Sequence, residues 1–164
     1  MPNWCEGVFK VRGTKQNVIN YLQELLQIHP IDQNKNPKPE IIFSDGCDEL
    51  NFELKNCNSF YLKHTRRAFI ETNKINIMLR GDEDEDPEQV IVASIPHFVQ
   101  AWGIIPENYT DLSKKHNVDL RIFGFEHGME FTQEVAIHKG TIVKSVEREF
   151  NNYVWDVPFS HLGG

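Results

Sequence analysis

The clearest hydrophobic pattern in the chain lies in its second half, where apolar and polar positions alternate. Val118, Leu120 and Ile122 are separated by single polar residues, and this period of two predicts a strand with one buried face. A polar turn at residues 126–128 separates this strand from a second alternating run at residues 129–137. The pattern therefore predicts a long β-hairpin.

A different spacing near the N-terminus predicts a helix over residues 14–28. Its apolar residues recur every three or four positions and form one stripe, as in a helix packed on a core. Thr14 suits the N-cap because its hydroxyl oxygen can accept a backbone N–H of the first turn. The helix should end before Pro30, which disfavours helical geometry at the preceding residue. The stripe consists of Val18, Leu22, Leu25 and Leu26.

Shorter runs predict the remaining elements. Apolar runs bounded by polar turn residues indicate a series of short strands. These strands are predicted at residues 7–12, 41–43, 50–55, 60–63, 69–70, 75–79, 89–95, 141–143 and 152–157. Short helices are predicted at residues 96–103 and 108–116, a loop at 31–40, and a loose tail at 159–164.

Together these elements predict a single α+β domain over residues 1–164. An antiparallel sheet with two helices on one face would bury the apolar side of every element. The length of 164 residues and the 40% of hydrophobic residues suffice for one packed core.

Phe123 and Phe125 lie on the side of their strand opposite to Leu120 and Ile122. Two explanations are open at this point. Either Gly124 marks a β-bulge that turns the aromatic side chains inward, or the sheet has a second face that is also covered.

Composition and charge restrict the class of protein. The net charge of −7 argues against nucleic acid as the main partner, because phosphate contacts require a basic surface; we expect no direct nucleic-acid binding. No apolar run is long enough to span a membrane, and the first residues lack the charged and apolar regions of a signal peptide. Three cysteines without a secretory signal indicate reduced thiols. We therefore expect a cytoplasmic protein without a membrane partner.

Two blocks of sequence are informative in combination. The first block is the opening Met-Pro-Asn-Trp-Cys, which precedes a predicted strand that ends at Gly13. The second block begins with Ala101-Trp102-Gly103 and continues with the hairpin at Phe125-Glu126 and the final Gly163-Gly164. These blocks resemble a largely uncharacterised family carried by phages and plasmids. The resemblance implies a ferredoxin-like domain, here elaborated by extra hairpins, and an origin on a mobile element with a bacterial host. It implies no catalytic residues.

The densest charge in the chain is an acidic run of six carboxylates. One interpretation is a solvated hairpin tip; the other is a surface that imitates DNA phosphates and competes for a cationic groove on a partner protein. The spacing lacks the closing glutamate of a calcium-binding loop. The candidate partner-binding residues are Asp82, Glu83, Asp84, Glu85, Asp86 and Glu88.

Cysteines and histidines raise the question of zinc, because both are preferred zinc ligands. Cys47 and Cys57 flank a predicted strand, which would hold them too far apart unless the segment folds back. Cys5 with His29 or His161 is possible but has no motif. We expect neither a metal nor another cofactor, with a structural zinc kept as an alternative.

A basic cluster at His64, Arg66 and Arg67 could bind a phosphate or an acidic partner. It could equally be a charged strand edge that prevents pairing between sheets. If Glu126 converged on this cluster, the protein could be a small enzyme or a nucleotide-handling protein.

The sequence contains no recognisable catalytic motif. Our leading hypothesis is a non-enzymatic phage or mobile-element protein that binds and inhibits a host protein with a basic surface, such as a nucleic-acid-targeting defence nuclease, in the manner of an anti-CRISPR protein. The alternatives are an enzyme or nucleotide-handling protein that uses the His64–Arg67 cluster, and a metal-stabilised adaptor in DNA transfer.

Overall fold

The computed structural model describes residues 1–79 and 86–164. The strands are β1 (Trp4–Thr14), β2 (Leu26–Gln27), β3 (Glu40–Asp45), β4 (Glu49–Lys55), β5 (Phe60–Leu62), β6 (Ala68–Ile70), β7 (Lys74–Met78), β8 (Val90–Ala101), β9 (Asp119–Glu126), β10 (Phe131–His138) and β11 (Thr141–Glu149). The helices are α1 (Lys15–Leu25), α2 (Glu107–His116) and α3 (Tyr153–Asp156), and Pro30–Asp32 forms a 3₁₀ turn. None of the helices in these residues has the length and apolar character needed to cross a membrane.

A large antiparallel sheet is built around β1. Its eight strands follow the order β11-β10-β9-β1-β8-β6-β5-β2. β1 pairs antiparallel with β8 on one side and with β9 on the other. Phe9 therefore stands opposite Ile95 of β8 and Ile122 of β9, and all three side chains are fully buried.

One face of this sheet, which we call the inner face, carries the core. α1 contacts β1 and β8, α2 contacts β10 and β11, and the two helices contact each other. A second sheet of three strands, in the order β3-β4-β7, adds Phe52 to the hydrophobic cluster that also contains Phe9 and Leu22. The two helices, the smaller sheet and the inner face thus share one core.

The first helix follows its sequence pattern closely at its N-terminus. Thr14 is the N-cap, and its hydroxyl oxygen accepts the N–H of Asn17 at 3.3 Å. Val18, Leu22 and Leu25 are buried as predicted. The predicted C-terminus at residue 28 is wrong, because the chain leaves the helix after Leu25 and continues as β2, which pairs with β5.

The second-half hairpin is confirmed. β9 and β10 pair in antiparallel register, and the predicted side chains Val118, Leu120 and Ile122 are buried. The β1–β9 register passes through Gly124 without a shift, which excludes a bulge in that pair. The second face is covered locally instead: Phe125 makes an edge-to-face contact with Phe159, with ring centroids 5.6 Å apart.

The predicted fold class, an α+β domain with two helices on one face of a ferredoxin-like sheet, is wrong. The protein is mostly antiparallel sheet, with 47% of residues in strands and 18% in helices, and it has two sheets in the described residues. Short strands cause the discrepancy. β2 and β5 lengthen the large sheet, whereas β3, β4 and β7 form their own sheet. Strand pairing depends on neighbours distant in sequence, which periodicity does not reveal.

Two local assignments are also wrong. The helix predicted at residues 96–103 is a continuation of β8, in which Phe98 pairs with Gly7 and Gln100 with Cys5. Pro96 is compatible with a strand here because it lies at the register shift between β1 and β8, where a ladder hydrogen bond is dispensable. The strand predicted at residues 152–157 is instead the short helix α3.

The tail predicted to be loose is fixed to the sheet. The N–H of Gly163 donates to Oε2 of Glu6 at 3.0 Å, and the N–H of Gly164 donates to the carbonyl of Trp4 at 2.9 Å. Gly163 has φ of +78°, and a Cβ there would lie 2.2 Å from the carbonyl oxygen of Phe125. Glycine is therefore required for this close approach.

Candidate binding site on the outer sheet face

The face of the large sheet that points away from the helices, the outer face, carries an unusual set of cations. Phe9 and Val11 of β1 point into the core, so Lys10 and Arg12 point outward because side chains alternate along a strand. The same alternation places Arg121 of β9 outward. We call the patch formed by Lys10, Arg12, Arg121, Phe123 and Lys144 the basic face.

Strand pairing brings three of these cations into one row. Lys10 of β1 stands opposite Arg121 of β9, Arg121 opposite Ala136 of β10, and Ala136 opposite Lys144 of β11. Like charges directly opposite each other destabilise a sheet. The row therefore opposes folding unless carboxylates or a partner compensate it.

One carboxylate in the neighbouring row offsets part of this repulsion. Oε1 of Glu134 accepts from Nη2 of Arg121 at 2.5 Å, and its Oε2 accepts from Nζ of Lys144 at 2.7 Å. The hydrogen bond from Lys144, reinforced by Arg121, holds the pKa of Glu134 below its usual value. Glu134 thus remains ionised, but it serves two cations at once.

Lys10 has no carboxylate partner among the described residues. Its ammonium lies over the Phe123 ring at 5.8 Å from the centroid, and the guanidinium of Arg121 lies 5.6 Å from the same centroid. An exposed cation–π contact contributes about 0.5–1 kcal/mol, which holds the cations in place without neutralising them. The basic face therefore retains positive charge.

A second ion-pair group lies at one end of the basic face. Nη2 of Arg12 donates to Oδ2 of Asp119 at 2.7 Å, and Nδ1 of His138 lies 2.7 Å from Oδ1 of the same carboxylate. Burial alone would raise the pKa of Asp119, but the hydrogen bond from Arg12 and the nearby His138 outweigh burial and lower it. Asp119 therefore compensates the positive charge of Arg12, whereas the charge of Lys10 is not compensated by a carboxylate among the described residues.

Exposed valines border the cations. Val92 of β8 is 57% exposed and Val143 of β11 is 62% exposed. Together with Lys10, Arg12, Arg121 and Lys144 of the basic face they line a groove of about 570 Å³, and Asp119 is the one carboxylate among the described residues that line it. The groove therefore combines apolar surface with an excess of positive charge.

The described members of the predicted acidic run, Asp86 and Glu88, do not line this groove. Asp82, Glu83, Asp84 and Glu85 lie outside the described residues. Asp86 and Glu88 are exposed just before β8, and Oδ1 of Asp86 accepts the N–H of Glu88 at 2.9 Å. This contact is a local turn interaction.

The basic cluster predicted from the sequence does not meet Glu126. His64, Arg66 and Arg67 are exposed in the turn between β5 and β6, and Arg67 lies 5.8 Å from the Trp102 ring centroid. Glu126 is fully buried three strands away, where its carboxylate accepts the backbone N–H groups of Gly128 and Met129. Glu126 therefore stabilises the β9–β10 turn.

The cysteines are also separated. Cys5 is buried beside Gln133, and burial, together with Glu126, raises the pKa of its thiol to about 12; a thiol in this state is a poor nucleophile and ligand. Cys47 is exposed and Cys57 is buried elsewhere. Within residues 1–79 and 86–164, no group of three histidine, cysteine or acidic side chains is arranged to hold a metal.

Sequence reasoning missed the basic face. Alternation along β1 and β9 signals that Lys10 and Arg121 point to solvent, but their juxtaposition with Lys144 depends on the pairing register of four strands.

Comparison with known proteins gives no indication of function, because no family model, curated protein or solved structure matches the chain. The resemblance to a phage and plasmid family stays a hypothesis.

Proposed function

We propose that this protein acts by stoichiometric binding, with the basic face receiving an acidic, partly apolar segment of a partner protein. The proposal includes no catalytic step. The observation that carries it is the row of Lys10, Arg121 and Lys144, in which Glu134 pairs with Arg121 and Lys144 while Lys10 has no carboxylate partner among the described residues. A bound carboxylate beside Lys10 would relieve the repulsion that the row creates in the free protein.

A protein partner suits this surface better than a nucleic acid. The exposed Val92 and Val143 offer apolar contacts that a phosphate backbone cannot use. In addition, the net charge of −7 repels a long polyanion at a distance, although a short acidic segment can still reach the local positive charge.

Peptide binding tests the proposal directly. The probe is a short fluorescein-labelled peptide of alternating glutamate and valine, compared with its glutamine-for-glutamate analogue and a labelled single-stranded oligonucleotide by fluorescence anisotropy. We expect saturable binding of the acidic peptide that weakens between about 0.01 and 0.15 M salt, as the Debye length falls from about 30 to 8 Å. Tighter binding of the oligonucleotide, or equal binding of the neutral analogue, would reject the proposal.

A second candidate function rests on the acidic run. Six carboxylates within seven positions could occupy the cationic groove of a host protein, and the described members, Asp86 and Glu88, are exposed. This candidate keeps the hypothesis of a phage or mobile-element inhibitor of a nucleic-acid-targeting defence nuclease.

Neutralisation of the acidic run separates the two candidates. Asp82, Glu83, Asp84, Glu85 and Asp86 are changed to asparagine or glutamine, and a control variant carries Glu40→Gln and Glu71→Gln, two exposed positions outside the run. The second candidate predicts slower inhibition of a defence nuclease by the neutralised protein, most clearly at low salt, because peripheral charges act mainly on the association rate. Equal inhibition by both variants at two salt concentrations would exclude it.

A further inference from the structure

A second cavity lies beside β2, the edge strand at the other end of the large sheet from β11. It has a volume of about 650 Å³ and is formed between the end of α1 and the chain segment that leads into β3. This volume is in the range of small-molecule sites. We call it the amide cavity because its lining includes four primary amides, those of Gln23, Gln27, Gln33 and Asn34.

The amides of this cavity are largely unengaged. Gln27 donates through Nε2 to the carbonyl of Glu24 at 2.9 Å, which leaves its Oε1 free to accept. The side chains of Gln23, Gln33 and Asn34 make no hydrogen bond to other described residues. Each primary amide can both donate and accept, so the cavity offers paired donors and acceptors.

Aromatic and aliphatic side chains form the rest of the wall. Phe43 is half-buried and packs on Phe52 with ring centroids 4.8 Å apart, and both rings line the cavity with Leu26 and Ile28. A supported ring with neighbouring amides suits a flat heterocycle that carries hydrogen-bonding groups on its edge. Glutamine and asparagine amides match the adenine edge in this way.

Lys38 is the one charged residue among the described residues that line the cavity. It is exposed, and among the described residues its ammonium has no ion-pair partner. None of the described residues in the lining is a carboxylate, which disfavours cationic ligands. A single cation beside neutral amides fits a ligand with one anionic group.

From these features we infer that the amide cavity binds a purine nucleoside monophosphate, with the base against the amides and Phe43 and the phosphate near Lys38. This inference is independent of the basic face. It concerns a different site, which is lined by amides, aromatic rings and one lysine, and its test does not depend on the result for the basic face.

Titration calorimetry with AMP, adenosine and ribose 5-phosphate tests the inference. We expect AMP to bind saturably, adenosine to bind about threefold to fivefold more weakly, as an exposed charge interaction allows, and ribose 5-phosphate to bind more weakly than AMP. Equal affinity for AMP and ribose 5-phosphate, or no saturable binding of millimolar AMP, would overturn it.

Two variants with matched controls locate the site. Lys38→Gln should reduce AMP affinity to that of adenosine, whereas Lys74→Gln, at an exposed position outside the cavity lining, should leave it unchanged. Gln23→Glu places a carboxylate in the wall and should weaken AMP binding about threefold or more. Gln16→Glu adds the same charge to an exposed position of α1 that does not line the cavity. Equal effects of a variant and its control would contradict the assignment.

Discussion

At the scale of single residues, Glu24 is the point where three elements meet. Its Oε1 accepts from Nζ of Lys63 at 2.8 Å, and its Oε2 lies 2.7 Å from both Nζ of Lys115 and Nε2 of His116. Hydrogen bonds from Lys115, Lys63 and His116 lower the pKa of Glu24 from 4.5 to about 2. The carboxylate therefore links α1, the turn after β5, and the end of α2.

We predict that Glu24→Gln changes how stability depends on acid. Because the folded-state pKa lies below the unfolded-state value, the ionised carboxylate stabilises the protein fully above about pH 4.5 and loses this effect as the pH falls toward 2. The variant should lose about 1 kcal/mol of unfolding free energy at pH 7, given partial exposure of the partners.

Urea unfolding at pH 7 and pH 3 measures this effect. The difference between wild type and Glu24→Gln should be smaller at pH 3, since the wild-type carboxylate then provides less of its stabilisation. An equal difference at both pH values would show that the ion pairs do not carry the contribution of Glu24.

At the scale of secondary structure, α1 buries the apolar stripe that its sequence pattern predicts. Leu22 is fully buried in the cluster shared by the two sheets. We predict that Leu22→Ala lowers the unfolding free energy by about 2–5 kcal/mol, the cost of removing a well-packed leucine from a core. Gln16→Ala, an exposed change on the same helix, is the control. If chemical denaturation gives both variants the same small loss, α1 does not pack as described.

The elements differ in how far their sequence determines them. α1 and the β9–β10 hairpin have strong periodicity and clear boundaries, so their existence follows from local pattern. The final turn of the predicted first helix does not form, because Leu26 pairs with Leu62 of β5. Similarly, β8 continues through Phe98 because β1 and β6 pair with it on both sides. Such long-range pairing is not encoded in a local pattern.

At the scale of the whole molecule, charge is distributed unevenly. The chain carries −7 overall, yet the basic face places Lys10, Arg121 and Lys144 in one row. The negative net charge indicates an acidic contact surface and gives no sign of the basic face. The candidate site could not be predicted because it arises from the register of four strands, whereas the charges of individual residues were visible from the start.

Binding of the acidic glutamate–valine peptide to two charge-reversal variants tests the central claim most directly. Lys10→Glu reverses a cation of the row that has no carboxylate partner in residues 1–79 and 86–164. Lys74→Glu makes the same formal change at an exposed position on the smaller sheet. Thermal unfolding verifies that both variants are folded. The proposed function predicts that Lys10→Glu weakens peptide binding by about tenfold or more, equivalent to about 1.4 kcal/mol, while Lys74→Glu has little effect. Equal affinities for the two variants would contradict it.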